Sequence, residues 1–331
     1  MFRSPILGAT KPRSLLLMTE LRVPDARFSQ PASANAALQK IMKERHDLLD
    51  SIPGIPAVLQ NLLAELDQPA DKVNLLRVAE LLGRDESLAA QCLRLANSPL
   101  FGLKIPSDSL RGAVRTLGIA HTREVTLSCS MMRIGASHNH KDFYVFWEHS
   151  LSCAIISRKL ARSVGFSDPE KAYLSGLLHD LGYAVNLVLV PKQTHTAMAN
   201  GARQSKFMGV SELEELGFTH CQSGEVLARK WNFADDIVEV ILCHHNPKAA
   251  VLNPALVAIV ALADRLCRSS NLGLGYTESP DPATEWHSDW AILTRNCPLA
   301  AQMKWPDFVQ DSAKYLVEIR DLVKAMYHAQ T

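Results

Sequence analysis

Apolar residues recur at three- and four-residue intervals along most of the chain, and strict two-residue alternation is scarce. The first sustained stretch follows the rigid turn "SIPGIP" at 51–56, with Val58-Leu59, Leu62-Leu63 and Leu66 at helical spacing. "KVNLLRVAELLG" continues with Gly83 as a helix stop, and "DESLAAQCLRLAN" opens on an acidic first turn. "SPLFG" interrupts the pattern before helical spacing resumes over 109–132. A polar joint, "IGASHNHKD" at 134–142, then leads into a second helical half. There, "FYVFWEHSLSCAIISRKLARSVG" predicts one long helix ending at Gly165, and Ser167 with Glu170 is placed as a capping box for the next. Further helices are expected around 219–231, 234–245 and 255–269. Residues 271–310, rich in Pro, Trp and Asp, read as irregular, and "AKYLVEIRDLVKAMYHA" reads as a closing amphipathic helix. There is no fixed-period repeat.

The expectation is an all-α fold in two lobes with ragged ends. Residues 1–47 read as a variable, partly flexible extension in which Met1 or Met18 could be the start. The N-terminal helical lobe is expected over 48–135, the second lobe over 136–270, and the irregular region with its closing helix over 271–331.

Composition narrows the function classes. Thirty-five basic and thirty-four acidic residues nearly cancel, with no Lys/Arg block, so nucleic acid and anionic membrane surfaces are not expected partners. The seven cysteines are scattered and without a CxxC pair, which argues against disulfides and a zinc ribbon and fits a cytoplasmic location. The most apolar stretch, "VLNPALVAIVALADRLC" at 251–267, is interrupted by Pro254 and Asp264 and reads as a buried helix, not a membrane span.

Seven polar residues interrupt apolar faces. His149 lies in line with Val145, Cys153, Ile156 and Leu160. His179 follows Ala172, Ser175 and Gly176, a face small enough for close helix approach, with Asp180 about 100° further round the same helix. His220 aligns with Ser223, Gly224, Leu227 and Trp231. His244 extends the line of Ile237, Val240 and Ile241, His245 stacks beyond Ile241, and Asp264 continues the face of Val257, Val260 and Ala261. Each has an ordinary reading: a hydrogen-bonded core histidine, a histidine opposing a helix dipole, a turn aspartate, or an Asp264–Arg265 pair. Jointly they have a common cause in a divalent metal, for which imidazole and carboxylate suit Fe, Mn, Zn or Ni. With no cysteine counted among the ligands, the set does not read as a structural zinc site. Spacing alone leaves both readings open.

At these residues the chain resembles the HD superfamily of metal-dependent phosphohydrolases, whose His…His-Asp…Asp signature matches His149, His179, Asp180 and Asp264. The surrounding segments "SIPGIPAVLQNLLAEL", "LLGRDESLAAQCLRLANSPLFG", "AVRTLG", "FWEHSLSCA", "GLLHDLG", "HCQSGEVLARKWNF" and "VEVILCHHNP" stand in the order found in HDOD domains, HD-related output domains of bacterial signalling proteins. The resemblance covers about residues 48–267 and implies an N-terminal helical lobe packed on an HD-like lobe. It also implies one ion on His149, His179, Asp180 and Asp264. A second would rest on His220, His244 and His245, with Asp180 bridging.

The departures bear on activity. Related cyclic-di-GMP phosphodiesterases carry a Gly-Tyr-Pro element after the His pair, where this chain has "HHNPKAAVLNPA", and a lysine where this chain has Tyr183. A lysine supplies fixed positive charge to a phosphate, whereas a tyrosine only donates a hydrogen bond. The expectation is therefore a regulatory module that contacts other signalling proteins, with one or two divalent ions or none. The alternative is a hydrolase acting on a nucleotide or phosphoester. In "LANSPLFG", Asn97, Ser98 and Pro99 read as a helix end with Phe101 packed below it, and the resemblance offers Asn97 as a partner-binding residue. Residues 271–331 could supply a homodimer or partner surface.

Overall fold

The computed structural model describes residues 65, 72–84, 86–101, 105–132, 140–204, 206–274 and 282–328. The 1–47 extension and the "SIPGIP" turn fall outside them. Among the described residues every regular element is helical, and no helix is long and apolar enough to cross a membrane.

The N-terminal part comprises α1 (Leu75–Leu82), α2 (Glu86–Ala96) and α3 (Leu110–Met132). Asn74 caps α1 by accepting from the backbone N–H groups of Leu76 and Arg77, and Val78, Ala79, Leu81 and Leu82 form its buried face. Gly118, at φ +72°, kinks α3 in a conformation that an L side chain rarely adopts. Asn97 closes the loop after α2: its side chain donates to Ser107 O and accepts from Ser107 N, both at 2.8 Å.

The second part is built on α4 (His140–Ser163), which runs to a left-handed Gly165 at φ +69°. The bond from Phe166 N to Ala161 O at 2.8 Å closes this C-terminus. Next come α5 (Pro169–Leu178), α6 (Leu181–Leu189), α7 (Pro191–Gln204), α8 (Met208–Glu215), α9 (His220–Lys230), α10 (Asp235–Cys243) and α11 (Pro254–Ser269). The cap of α5 is Asp168, which accepts from Lys171 N, and not Ser167 as the sequence pattern suggested. Pro169 at the first helical position makes the residue before it the cap. Helices α7 and α8 were not anticipated; the residues they bury include Thr194, Gly201, Ser211 and Glu212, which do not read as an apolar face. Helix α11 is buried nearly all round, as its apolar composition predicts, so Asp264 lies deep inside the protein.

The C-terminal region also departs from expectation. The middle of the stretch read as irregular is α12 (Pro282–Asn296), and the closing helix α13 (Trp305–His328) starts well before Ala313. Trp286 stacks on Trp305 at 6.1 Å between ring centroids, and Trp290 and Phe308 each approach Trp305 to 5.5 Å. Lys159 of α4 holds α13 by reaching Asp311 at 2.6 Å and lying 4.3 Å above the Tyr315 ring. Composition suggested a loop, but Trp286, Trp290 and Leu293 share one helical face.

A buried arginine joins the two parts. Arg158 of α4 pairs with Glu124 of α3, donates to Leu100 O at 3.1 Å and lies over the rings of Phe101 and Tyr173. Glycines set the tightest helix approaches. A Cβ on Gly182 of α6 would overlap His220 O, and one on Gly176 of α5 would stand 2.8 Å from Cys153 O. Gly182→Ala is therefore expected to destabilise the protein by more than about 3 kcal/mol, the upper end of ordinary overpacking. A fall in the urea midpoint read by circular dichroism measures it, and an unchanged midpoint would show that α6 and α9 can separate freely.

Candidate metal centre

All seven polar residues singled out from the sequence meet in one pocket, and most come from helix ends. His149 stands inside α4 and Asp264 inside α11. His179 ends α5, Asp180 precedes α6, His220 begins α9, and His244 ends α10 with His245 just beyond. The expectation that His179 and Asp180 lie round one continuous helix is corrected. At Asp180 the backbone turns to φ −101° and ψ 18°, and its carboxylate makes no capping bond. The break frees that side chain to point into the pocket.

Four imidazoles are oriented in the same way. His149 Nδ1 lies 2.6 Å from Leu272 O, and His179 Nδ1 lies 2.8 Å from Gly176 O. His244 Nδ1 is 3.1 Å from Val240 O and 3.1 Å from Ile241 O. His220 Nδ1 is 2.7 Å from Glu212 Oε2, and that oxygen also accepts from His220 N at 3.0 Å. Carbonyl and carboxylate oxygens only accept, so each Nδ1 carries the proton and each Nε2 of a neutral ring presents a lone pair.

Those lone pairs converge on carboxylates. His149 Nε2 is 3.2 Å from His179 Nε2, 3.3 Å from Asp180 Oδ2 and 3.2 Å from Asp264 Oδ1. His179 Nε2 is 3.3 Å from Asp180 Oδ2 and 3.7 Å from Asp264 Oδ1. The other oxygen of Asp180 faces the opposite way: Oδ1 is 3.5 Å from His220 Nε2 and 3.4 Å from His244 Nε2. His245 Nε2 lies 3.0 Å from His220 Nε2. Asp180 thus divides the pocket into two halves and offers one oxygen to each.

Acceptors facing acceptors in a buried space require positive charge between them. Burial disfavours the charged forms of His149 and His179, but Asp180 and Asp264 outweigh it and lift them to about 10 and about 9. Burial holds His244 and His245 below the ordinary histidine value. Burial also opposes ionisation of Asp264, yet Arg268 and the neighbouring histidines pull it well below the usual carboxylate range. Protons alone leave gaps. Asp180 Oδ1, Asp264 Oδ1 and His244 Nε2 are buried without a hydrogen-bond partner, each at a cost of about 1–3 kcal/mol. A divalent cation satisfies such a donor set, and the residues fit one.

Four further residues shape the site. Arg268, four residues after Asp264, makes its ion pair, whereas the anticipated partner Arg265 bonds Asp289 at 2.9 Å. Glu212, on the unanticipated α8, orients His220. Cys153 and Cys221 place sulfur near the two halves, with Cys153 grouped with His149, His179 and Asp264, and Cys221 with His220, His244 and His245. The signals were present in part: Arg268 and Cys153 stand four residues from Asp264 and His149, and Cys221 adjoins His220. Tyr183 is buried and stacks on the His220 ring at 4.3 Å and 14°. Asn97 lies outside the cluster.

Comparisons with known proteins bear on the family and the fold. The HDOD domain family model matches residues 52–247, more than half of the chain. An HDOD domain protein of unknown function from Geobacter sulfurreducens is 28% identical, covers 87% of this chain and 97% of its own, and superposes with a TM-score of 0.73. A candidate phosphohydrolase from Shewanella amazonensis is 25% identical over 88% of this chain and 98% of its own, with a TM-score of 0.63. An uncharacterised Treponema pallidum protein is 25% identical over 71% of this chain, which spans only 45% of that relative's length. If Glu212 orients His220 for metal, Glu212→Gln is expected to weaken metal binding by about 10–100-fold with little change in folding. Chelator-competition titration measures this, and an unchanged affinity would remove Glu212 from the site.

Proposed function

The chain belongs to the HDOD family, and from that membership we propose a regulatory signalling module that acts through contacts with other proteins. Its His/Asp pocket holds one or two divalent ions that tie five helical segments together. The observation that carries this reading is closure: His149, His179, Asp180, His220, His244 and Asp264 are each at most 1% exposed, and only His245 is partly open. A phosphoester would have to reach the ions past that wall. The bound ions would supply Lewis acidity, but in this reading their charge is used to satisfy buried acceptors.

Tyr183 supports the same reading, because at the position where related enzymes carry lysine it packs against His220 and brings no charge. Partners are other signalling proteins, with α12 and α13 available for a homodimer surface, and Asn97 is the residue proposed for partner contact in the N-terminal lobe. All seven cysteines are free, which suits a cytoplasmic setting.

A second reading, a metal-dependent phosphohydrolase acting on a nucleotide or phosphoester, is favoured by one observation. Arg268 brings a guanidinium to the Asp264 edge of the pocket. The two readings separate on the purified whole chain. Elemental analysis is expected to find divalent metal, and a broad phosphoester panel is expected to show no turnover. Turnover that is lost in Asp180→Ala would establish the second reading in place of the first. Absence of metal, with folding unchanged in His244→Ala, would sink both.

A further inference from the structure

The two halves of the pocket differ in the donor atoms that face them. Two carboxylates, Asp180 and Asp264, present oxygens to His149 and His179. The other half has three imidazoles and only the shared Oδ1 of Asp180. Cys221 stands beside this poorer half, its Sγ 3.4 Å from His220 Nε2. The ligand atoms of His220, Cys221, His244 and His245 all lie within 4.8 Å of one another. Around a tetrahedral zinc, bond lengths of about 2.0–2.3 Å put neighbouring nitrogens about 3.3 Å apart and nitrogen and sulfur about 3.6 Å apart. The observed separations are 3.0 Å for His220–His245 and 3.4 Å for His220–Cys221. Independently of the cysteine, His244 Nε2 is buried, lacks a hydrogen-bond partner and faces this half.

We propose that Cys221 is a thiolate ligand of the ion held by His220, His244 and His245, which makes this half a site for zinc or a similarly thiolate-preferring metal. The inference rests on the reading that the pocket binds metal. The thiol proton leaves to solvent on loading, and the sulfur supplies an anionic donor atom beside the shared Oδ1 of Asp180, while the Glu212 carboxylate stays behind the ring on His220 Nδ1. The half around His149 and Asp264 remains a nitrogen and oxygen site, suited to iron or manganese as well. Cys153 is the internal control, since its Sγ is 3.9 Å from His149 Nε2 but its half already holds two carboxylates.

Cobalt(II) loading of the whole chain tests this by spectroscopy. The expected result is a thiolate-to-cobalt charge-transfer band that persists in Cys153→Ser and disappears in Cys221→Ser. Cys221→Ser should keep its fold by circular dichroism and still bind cobalt in the other half. Zinc affinity of the Cys221 half should fall at least about tenfold. Cobalt bound without the band, or a band surviving in Cys221→Ser, overturns the proposal and leaves the metal pocket standing. A band lost in Cys153→Ser moves the thiolate to the other half and overturns it equally. No cobalt bound by the unaltered chain removes the pocket reading, and this proposal with it. Should Cys221→Ser unfold, Cys221→Ala is judged by the same band.

Discussion

The buried carboxylate of Asp180 is the constraint around which the second half of the protein is arranged. It stands among four histidines, and its two oxygens face different pairs of them. An ionised carboxylate deep inside a protein costs several kcal/mol unless charge and hydrogen-bond geometry compensate it. The compensation here comes from α4, α5, α9 and α10, so none of these helices can shift without exposing an acceptor. Asp264 repeats the pattern on α11, where Arg268 completes the balance. The helices therefore share a polar centre inside an otherwise apolar packing.

The backbone is shaped to serve that centre. Helix interiors position His149 and Asp264, but His179, Asp180, His220 and His244 stand at helix boundaries. A boundary residue can aim its side chain inward without obeying the helix's own face, as the break at Asp180 illustrates. The price is close approach of main chains, which the glycine contacts at 176, 182 and 224 permit. Gly224 and Gly182 meet where α9 crosses α6, next to His220 and Asp180, so the tightest packing lies beside the most polar point.

The sequence made much of this legible, for reasons that also explain the misses. His149, His244 and Asp264 could be read because each breaks an apolar helical face at regular spacing. His179 and Asp180 could be read as inward-facing, but the apolar run on both sides reads as one helix, and a turn at Asp180 near Gly182 was only one of the open readings. Glu212 was hidden in "SELEEL", where a solvated helix and a buried ligand-orienting acid look alike. Its burial is decided by the partner, His220, which no local pattern reveals. Likewise α12 was obscured by Trp, Asp and Pro, although its tryptophans stand four residues apart and turn out to face one aromatic cluster. Local composition misled where long-range contacts determined the outcome.

Tyr183 belongs to the same balance of charge and orientation. A lysine at that point would add a cation to a pocket whose acceptors already call for metal ions, useful only if an anionic substrate arrives to balance it. A neutral ring stacked on His220 instead fixes the imidazole plane from one face, while Glu212 fixes it from the edge. Ring orientation is what a histidine ligand requires, since its lone pair lies in the ring plane. The guanidinium of Arg268 pairs with Asp264, so it balances one of the cluster's carboxylates. On the proposed reading, each charged or aromatic neighbour of the cluster described here holds one of its polar side chains in place, and a centre that fixes helices needs that distribution.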